Sequence, residues 1–237
     1  MKKMLITGTT RGIGRCLYKE FSDQYEITTI NRRFFPGENL LCDLSSLEDT
    51  ELLCEEVLKK EFDILINNAG GADPVFPQNM GADELIACSN LNYHSPVLIM
   101  HAVLEGMAQR GYGRIVNVSS IAAKSPRGLL AYYGAAKAAL EKYTTSLASF
   151  YGGTGVTLNC VCPGGVKTSV SINSRKKLSL MQGLEEDYYN ERIAKSNGLG
   201  RMVATEEVVA LVRYLLSEEA AAVSGQTWNI CGVSEVH

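Results

Sequence analysis

Short apolar runs alternate with longer amphipathic ones along the whole chain, and polar or glycine-rich breaks separate them. Lys3-Met4-Leu5-Ile6-Thr7 predicts a strand, followed by a turn rich in glycine at residues 8–14 and a helix through Phe21. Residues 25–30 alternate and are rich in Thr and Ile, which predicts a second strand ending at Asn31-Arg32-Arg33; residues 39–42 predict a third. A helix carrying Leu47, Leu52, Leu53, Val57 and Leu58 leads into residues 63–67, a near-continuous apolar strand of the kind found in a parallel sheet covered on both faces. A long helix is expected over residues 81–109, a strand over 113–118, a helix over 130–151 and a strand over 155–161. Residues 169–200 are polar and mixed, with helical pieces, and read as a lid-like insert. A helix at 206–217, capped by Thr205, and a strand at 226–230 complete the pattern.

Strands alternating with helices, with no Pro/Gly/Ser-rich linker between them, predict one doubly wound α/β domain over residues 1–237. In such sheets ligands bind beyond the carboxyl ends of the strands. The polar breaks fall at those ends: Gly8 to Gly14, Asn31-Arg32, Asp43, Asn67 to Gly70, Ser119-Ser120 and Pro163 to Thr168. They are therefore expected to line one crevice.

Composition narrows the function. With 46% hydrophobic and 21% charged residues the chain suits a soluble globular protein, and a net charge of -3 argues against a nucleic-acid-binding surface. No apolar run approaches the ~20 residues that span a bilayer. The stretch after Met1-Lys2-Lys3 is too short for a signal-peptide core, so a cytoplasmic location is expected. Seven scattered cysteines, an odd number in mostly apolar company, read as reduced thiols. Cys160 and Cys162 are expected on opposite faces of their strand; with histidines only at 94, 101 and 237, no metal site is expected.

Two stretches carry candidate chemistry. Gly8-Thr9-Thr10-Arg11-Gly12-Ile13-Gly14 is a strand-to-helix turn whose glycines permit close backbone approach, and a helix N-terminus there offers N–H groups to a phosphate. Tyr132-Tyr133-Gly134-Ala135-Ala136-Lys137 puts a tyrosine and a lysine four residues apart, on one face of a helix. A fixed positive charge favours phenolate and draws a phenol's pKa down from about 10.

Taken together these motifs resemble the short-chain dehydrogenase/reductase family over nearly the whole chain. Thr7 to Gly14 matches its cofactor loop T-G-x-x-x-G-I-G, Asn67-Asn68-Ala69-Gly70 its N-N-A-G, and Pro163 to Thr168 its P-G-x-V-x-T. Ser120 stands thirteen positions before Tyr133, the family's usual spacing, and only Tyr133 of the tyrosine pair has Lys137 four residues on. Asn92 sits where the family keeps an asparagine in its fourth helix. The resemblance implies a Rossmann-type fold and a ketone reductase in which Ser120 holds the carbonyl oxygen and Tyr133 donates the proton. It further implies that Lys137 lowers the Tyr133 pKa and bonds the nicotinamide ribose, and that Asn92 keeps a water beside Lys137. Cofactor contacts are implied for Gly8, Thr10, Arg11, Gly12, Ile13, Gly14, Asn31, Arg32, Asp43, Leu44, Asn67, Ala69, Gly70, Tyr133, Lys137, Pro163, Gly164, Val166 and Thr168.

Family members that use NAD(H) keep an acidic residue where this chain has Asn31, followed by Arg32 and Arg33, so NADP(H) is favoured over NAD(H). Arg32 lying flat against the adenine would serve NAD(H) instead. Leu199 to Met202 and Ser224 to Thr227 resemble 3-oxoacyl-carrier-protein reductases, whereas Asn229 to Val233 departs from them. The implied substrate is a small carbonyl or alcohol, free or bound to a carrier or CoA. Rival readings are an NAD(H)-dependent alcohol dehydrogenase, a catalytically silent dinucleotide sensor, and a nucleotide-sugar epimerase or dehydratase. A homotetramer, or a homodimer, is implied, with the helices at 81–109 and 131–151 at one interface.

Overall fold

Each apolar run becomes a strand: β1 (Lys3–Thr7), β2 (Glu26–Asn31), β3 (Glu38–Leu41), β4 (Ile64–Asn67), β5 (Gly113–Val118), β6 (Val156–Pro163) and β7 (Thr227–Ile230). The structure is a computed structural model that describes residues 1–233, Ser196 by its backbone alone. The strands form one parallel sheet in the order β3-β2-β1-β4-β5-β6-β7. The order reverses between β1 and β4, which opens a crevice at their carboxyl ends.

Successive strand side chains point to opposite faces, so each strand feeds two cores. Met4, Ile6, Ile64, Ile66, Val116 and Val161 face one side, where they meet Leu17 and Phe21 of α1 (Gly12–Phe21) and Val208, Val212 and Leu215 of α8 (Thr205–Leu216). Leu5, Leu65, Ile115 and Leu158 face the other. There they meet Leu53 and Val57 of α2 (Leu47–Val57), Met100 and Leu104 of α4 (Ser95–Gln109), and Leu140 of α5 (Ala131–Phe150). These side chains are almost fully buried, and each contributes roughly 1.5–3 kcal/mol on leaving water.

The helix expected over 81–109 is continuous but changes character. α3 (Ala82–Ser89) passes through a π-helical turn at Asn90–His94 into α4. Within the π turn the Asn92 side chain is drawn back onto the preceding helix, its Nδ2 donating to the Cys88 carbonyl at 2.9 Å. Residues 169–200 fold into α6 (Ser169–Met181) and α7 (Tyr188–Ser196), packed on each other.

Two sequence expectations fail. Alternate residues of a strand share a face, so Cys160 and Cys162 lie on the same side of β6, and Glu141 and Lys124 act electrostatically on both thiols. Helix α8 starts one residue earlier than expected: Thr205 is inside it, and Ala204 is the flanking residue. The Glu207 carboxylate accepts the Ala204 N–H at 2.7 Å, which is the reciprocal half of a capping box, and no side-chain hydroxyl caps the helix. Among the described residues no helix is long and apolar enough to cross a membrane, and no three His, Cys, Asp or Glu side chains converge as metal ligands. His237 lies outside the described residues.

Candidate active site

The loop after β1 is shaped by contacts that leave no room for side chains. A Cβ on Gly14 would sit 2.1 Å from the Gly8 carbonyl oxygen and 2.4 Å from Asn68 Nδ2, and one on Gly8 would sit 2.8 Å from the Ala69 Cα. Asn68 ties the loop to β4: its Nδ2 donates to the Thr7 and Gly8 carbonyls at 3.0 and 2.9 Å, and the Asn68 and Ala69 amides both donate to Thr7 Oγ1. Asn67, one residue earlier, points the other way; buried, it donates to Asn117 Oδ1 and the Pro96 carbonyl. Of the N-N-A-G quartet, then, the second asparagine shapes the crevice and the first belongs to the core.

Asn31 is also turned inward. Its Oδ1 accepts the Thr9 amide at 2.8 Å, and its Nδ2 donates to Thr9 Oγ1 and Asn39 Oδ1. The first side chain to emerge beyond β2 is therefore Arg32, which is exposed and 3.8 Å from Asp43 Oδ2. Thr10 and Arg11 are exposed on the loop, while Ile13 packs against the core. Leu44 is buried, and its carbonyl accepts from Ser95 Oγ.

A dinucleotide fits this cradle. Arg11 precedes α1 without any side-chain cap, and no acidic residue stands in the first turn, so the leading N–H groups and the positive end of the helix dipole are available to a pyrophosphate. On the opposite wall, Pro163 ends β6, the Gly164 amide donates to Ile230, and Val166 is buried. Thr168 caps α6 through Oγ1, with its methyl group against the space a Gly12 side chain would fill.

The four candidate catalytic side chains converge between these walls. Gly70 marks the meeting point: a Cβ there would lie 2.8 Å from Asn92 Oδ1 and 3.0 Å from Lys137 Nζ. Asn92 Oδ1 accepts the Gly71 amide and its Nδ2 donates to the Gly71 carbonyl, each at 3.0 Å. Lys137 is buried, and its Nζ donates to the Val118 carbonyl at 2.9 Å, 6.0 Å from the centre of the Tyr133 ring. Ser120 leaves β5 in extended conformation, its Oγ accepting the Ala122 amide at 3.1 Å.

The expected lowering of the Tyr133 pKa is not what this geometry gives. Burial pushes the phenol up to about 12, and a hydrogen bond from Ser120 offsets only part of that. Burial also holds Lys137 down to about 8, opposed by nearby groups that include Glu141. With its ammonium on a carbonyl rather than on the phenol, Lys137 does little to favour phenolate. Tyr133 is thus protonated near neutrality, as a proton donor must be.

Sequence reasoning passed over Glu141, one helical turn beyond Lys137. Its buried Oε1 accepts from Ser119 Oγ at 2.6 Å and from Cys162 Sγ at 3.1 Å, and Lys124 Nζ lies 3.9 Å from Oε2. One carboxylate thus joins the residue before Ser120 and the residue before Pro163 to the helix that carries Tyr133 and Lys137. The i, i+4 spacing from Lys137 was its one signal, and on an exposed helix that spacing means little.

A cavity of about 240 Å³ opens onto Ser120 and Tyr133, roofed by Leu178 of α6 and Tyr189 and Ile193 of α7. Two arginines, Arg127 and Arg175, line it as well. Lys177 Nζ of α6 reaches Asp73 Oδ2 at 3.0 Å, across the crevice from the lid.

Residues 2–179 match the family model described as short chain dehydrogenase. A putative ketoacyl reductase of Streptomyces coelicolor is 30% identical, the alignment covering 96% of this chain and 95% of that protein. The acetoacetyl-CoA reductase of Shinella zoogloeoides is 29% identical over 96% of each chain, and the 3-oxoacyl-carrier-protein reductase FabG of Escherichia coli 27% identical over 98% and 96%. Among solved structures, the actinorhodin polyketide ketoreductase with NADPH superimposes with a TM-score of 0.89 at 28% identity, over 98% of this chain and 96% of that one.

Proposed function

The chain belongs to the short-chain dehydrogenase family and is an oxidoreductase of that family, and from that premise we propose that it reduces a ketone to a secondary alcohol with NADPH, Tyr133 giving the proton. The observation that carries this reading is the convergence of Asn92, Ser120, Tyr133 and Lys137 beside a cavity, with the phenol held protonated. The bound dinucleotide would supply a hydride to the carbonyl carbon. As the C=O π pair moves onto oxygen, the Ser120 hydroxyl holds that oxygen, where a preorganised donor matters most. The phenolic proton of Tyr133 transfers to it and closes the alcohol O–H bond. Lys137 and Asn92, side by side at Gly70, lie on the route by which the phenolate regains a proton from solvent. General acid catalysis of this kind is worth roughly 10²–10⁴-fold.

The preference for NADPH rests on Arg32. With Asn31 turned inward and neutral, an exposed guanidinium is the first group to meet the adenosine ribose, and it suits a 2′-phosphate. A second reading, NAD(H), is favoured by one contact: Asp43 lies 3.8 Å from Arg32 and offsets its charge. The substrate class follows the relatives' names, a 3-oxoacyl thioester on a carrier or CoA or another biosynthetic ketone. The reading includes a homotetramer. Leu85 and Ile86 of α3 and Phe150 of α5 are large exposed apolar side chains on the two long helices, and light scattering after size exclusion gives the subunit count. Consumption of NADPH and of NADH against a panel of ketones and 3-oxoacyl thioesters tests the function. Turnover with NADPH is expected, and no turnover with any carbonyl would overturn the reading.

A further inference from the structure

The cavity beside Ser120 and Tyr133 is mostly apolar, walled by Ile121, Leu129, Leu130, Leu178 and Ile193, and among the described residues no acidic one lines it. Two arginines do. Arg175 projects from α6, and the partners that fix it are all neutral: Nε donates to Asn190 Oδ1 at 2.7 Å, and Nη2 lies 3.3 Å from both the Val166 carbonyl and Ser171 Oγ and 3.4 Å from Met202 Sδ. Among the described residues no carboxylate forms an ion pair with it. A guanidinium held by neutral groups in a mostly apolar cavity carries a charge its surroundings do not balance. Burial, and the like charge of Arg127, bring its pKa down to about 10, so both act against the cation. It nevertheless stays charged near neutrality. Gln182 lines the same cavity, and Tyr189 Oη donates to its Oε1 at 2.5 Å, which fixes the amide and leaves its NH₂ to donate elsewhere.

We propose that the ketone substrate carries a carboxylate, seated on Arg175 with Arg127 beside it and the Gln182 amide as a further donor, while its carbonyl lies on Ser120 and Tyr133. The proposal rests on the ketone-reductase reading above and names the substrate class of that site. A carboxylate matches the planar fork of a guanidinium in size and geometry, and its negative charge offsets that of Arg175. The apolar walls between the arginines and the tyrosine then accommodate the methylene chain that separates the carboxylate from the ketone. In the basic run Arg175-Lys176-Lys177 of α6, Lys176 and Lys177 make ion pairs with Glu186, Asp187 and Asp73 at the surface, and Arg175 faces the cavity.

The test measures kcat/KM at pH 7 for keto acids with one to four methylenes between ketone and carboxylate, each beside its methyl ester. The wild-type enzyme is expected to prefer the acid by at least about tenfold at one chain length, the scale of a charge-assisted hydrogen bond. At that length the acid-to-ester ratio is expected to fall at least fivefold in Arg175→Met and to fall less in Arg175→Lys. Because Arg175 also holds α6, a measurement on the wild type stands beside the variants: hexanoate is expected to compete with the ketone ester, and hexanamide to compete at least tenfold more weakly. Esters reduced without acid preference at any length, or hexanoate no better than hexanamide, overturn the carboxylate site and leave the reductase reading intact. No turnover of any acid or ester, nor of any ketone or 3-oxoacyl thioester beside them, would overturn the reductase reading itself.

Discussion

Glu141→Gln is the substitution in which structure, stability and chemistry are most tightly joined. The carboxylate accepts Ser119 Oγ at 2.6 Å and Cys162 Sγ at 3.1 Å from within the core. Hydrogen bonds to a charged acceptor contribute about 1.5–3 kcal/mol, against about 0.5–1.5 for neutral pairs. Glutamine retains a carbonyl for one donor but not the charge, a loss of about 1–2 kcal/mol by that difference. The Lys124 contact at 3.9 Å is long and part-exposed, and adds less than about 1 kcal/mol. At about 2–4 °C per kcal/mol for a chain of this length, Tm should fall by roughly 2–12 °C. Urea unfolding of the cofactor-free protein measures the loss directly, as a lower midpoint at constant m-value.

The same substitution has a chemical signature that packing alone would not give. The Glu141 charge favours the Lys137 ammonium, which burial holds at about 8. Removing the charge disfavours the ammonium further, so the alkaline limb of kcat/KM for the cofactor should move to lower pH. A Glu141→Gln enzyme within about 0.5 kcal/mol of wild type, with an unmoved alkaline limb, would refute the idea that this carboxylate braces the site.

Other consequences are simpler to measure. Gly14→Ala puts a methyl group 2.1 Å from the Gly8 oxygen, so backbone must move; a loss of about 1–3 kcal/mol in unfolding free energy is expected, with weaker dinucleotide binding in a fluorescence titration. Arg32→Ala should lower the NADPH-to-NADH ratio of kcat/KM by about tenfold or more, and an unchanged ratio would favour the NAD(H) reading. Stability should fall with alkaline pH. Burial raises Cys42 and Cys54 to about 11 and Cys160 to about 12, so above the ordinary thiol value of 9 the unfolded chain releases protons that the folded chain keeps. Lys137 acts in the opposite sense between about 8 and 10.5, but as one group against three. Thermal scans from pH 8 to 10.5 should therefore show Tm falling above pH 9, and a rise would contradict the assignment.

The fold was legible because period-two and period-3.6 patterns survive wherever an element is covered. Ile64-Leu65-Ile66 reads as a doubly covered strand and is one, its alternate side chains shared between two cores. The π turn at Asn90–His94 left no such mark, since a single extra residue in one helical turn barely shifts the periodicity. The candidate site was legible as motifs but not as side-chain directions. Asn67 and Asn68 are adjacent, and only the strand's register tells which one faces the crevice. Asn31 looked like a ribose contact because it ends β2, yet Thr9 and Asn39 take up its polar atoms. Glu141 was invisible for a different reason: a charged residue in a helix is usually solvated, and burial is a property of the packed molecule, not of the sequence. Arg175 stood out only as one of the basic run Ser174-Arg175-Lys176-Lys177, which reads equally as a site for an anionic substrate and as a solvated helix face.

The central claim is that Tyr133 protonates the substrate oxygen, and Tyr133→Phe tests it most directly. The substitution removes one hydroxyl and keeps the ring, so wild-type dinucleotide affinity, an unchanged fold by circular dichroism, and ketone reduction slowed by about 10²–10⁴-fold are expected. A Tyr133→Phe enzyme that binds the dinucleotide normally and reduces ketone at the wild-type rate would contradict it.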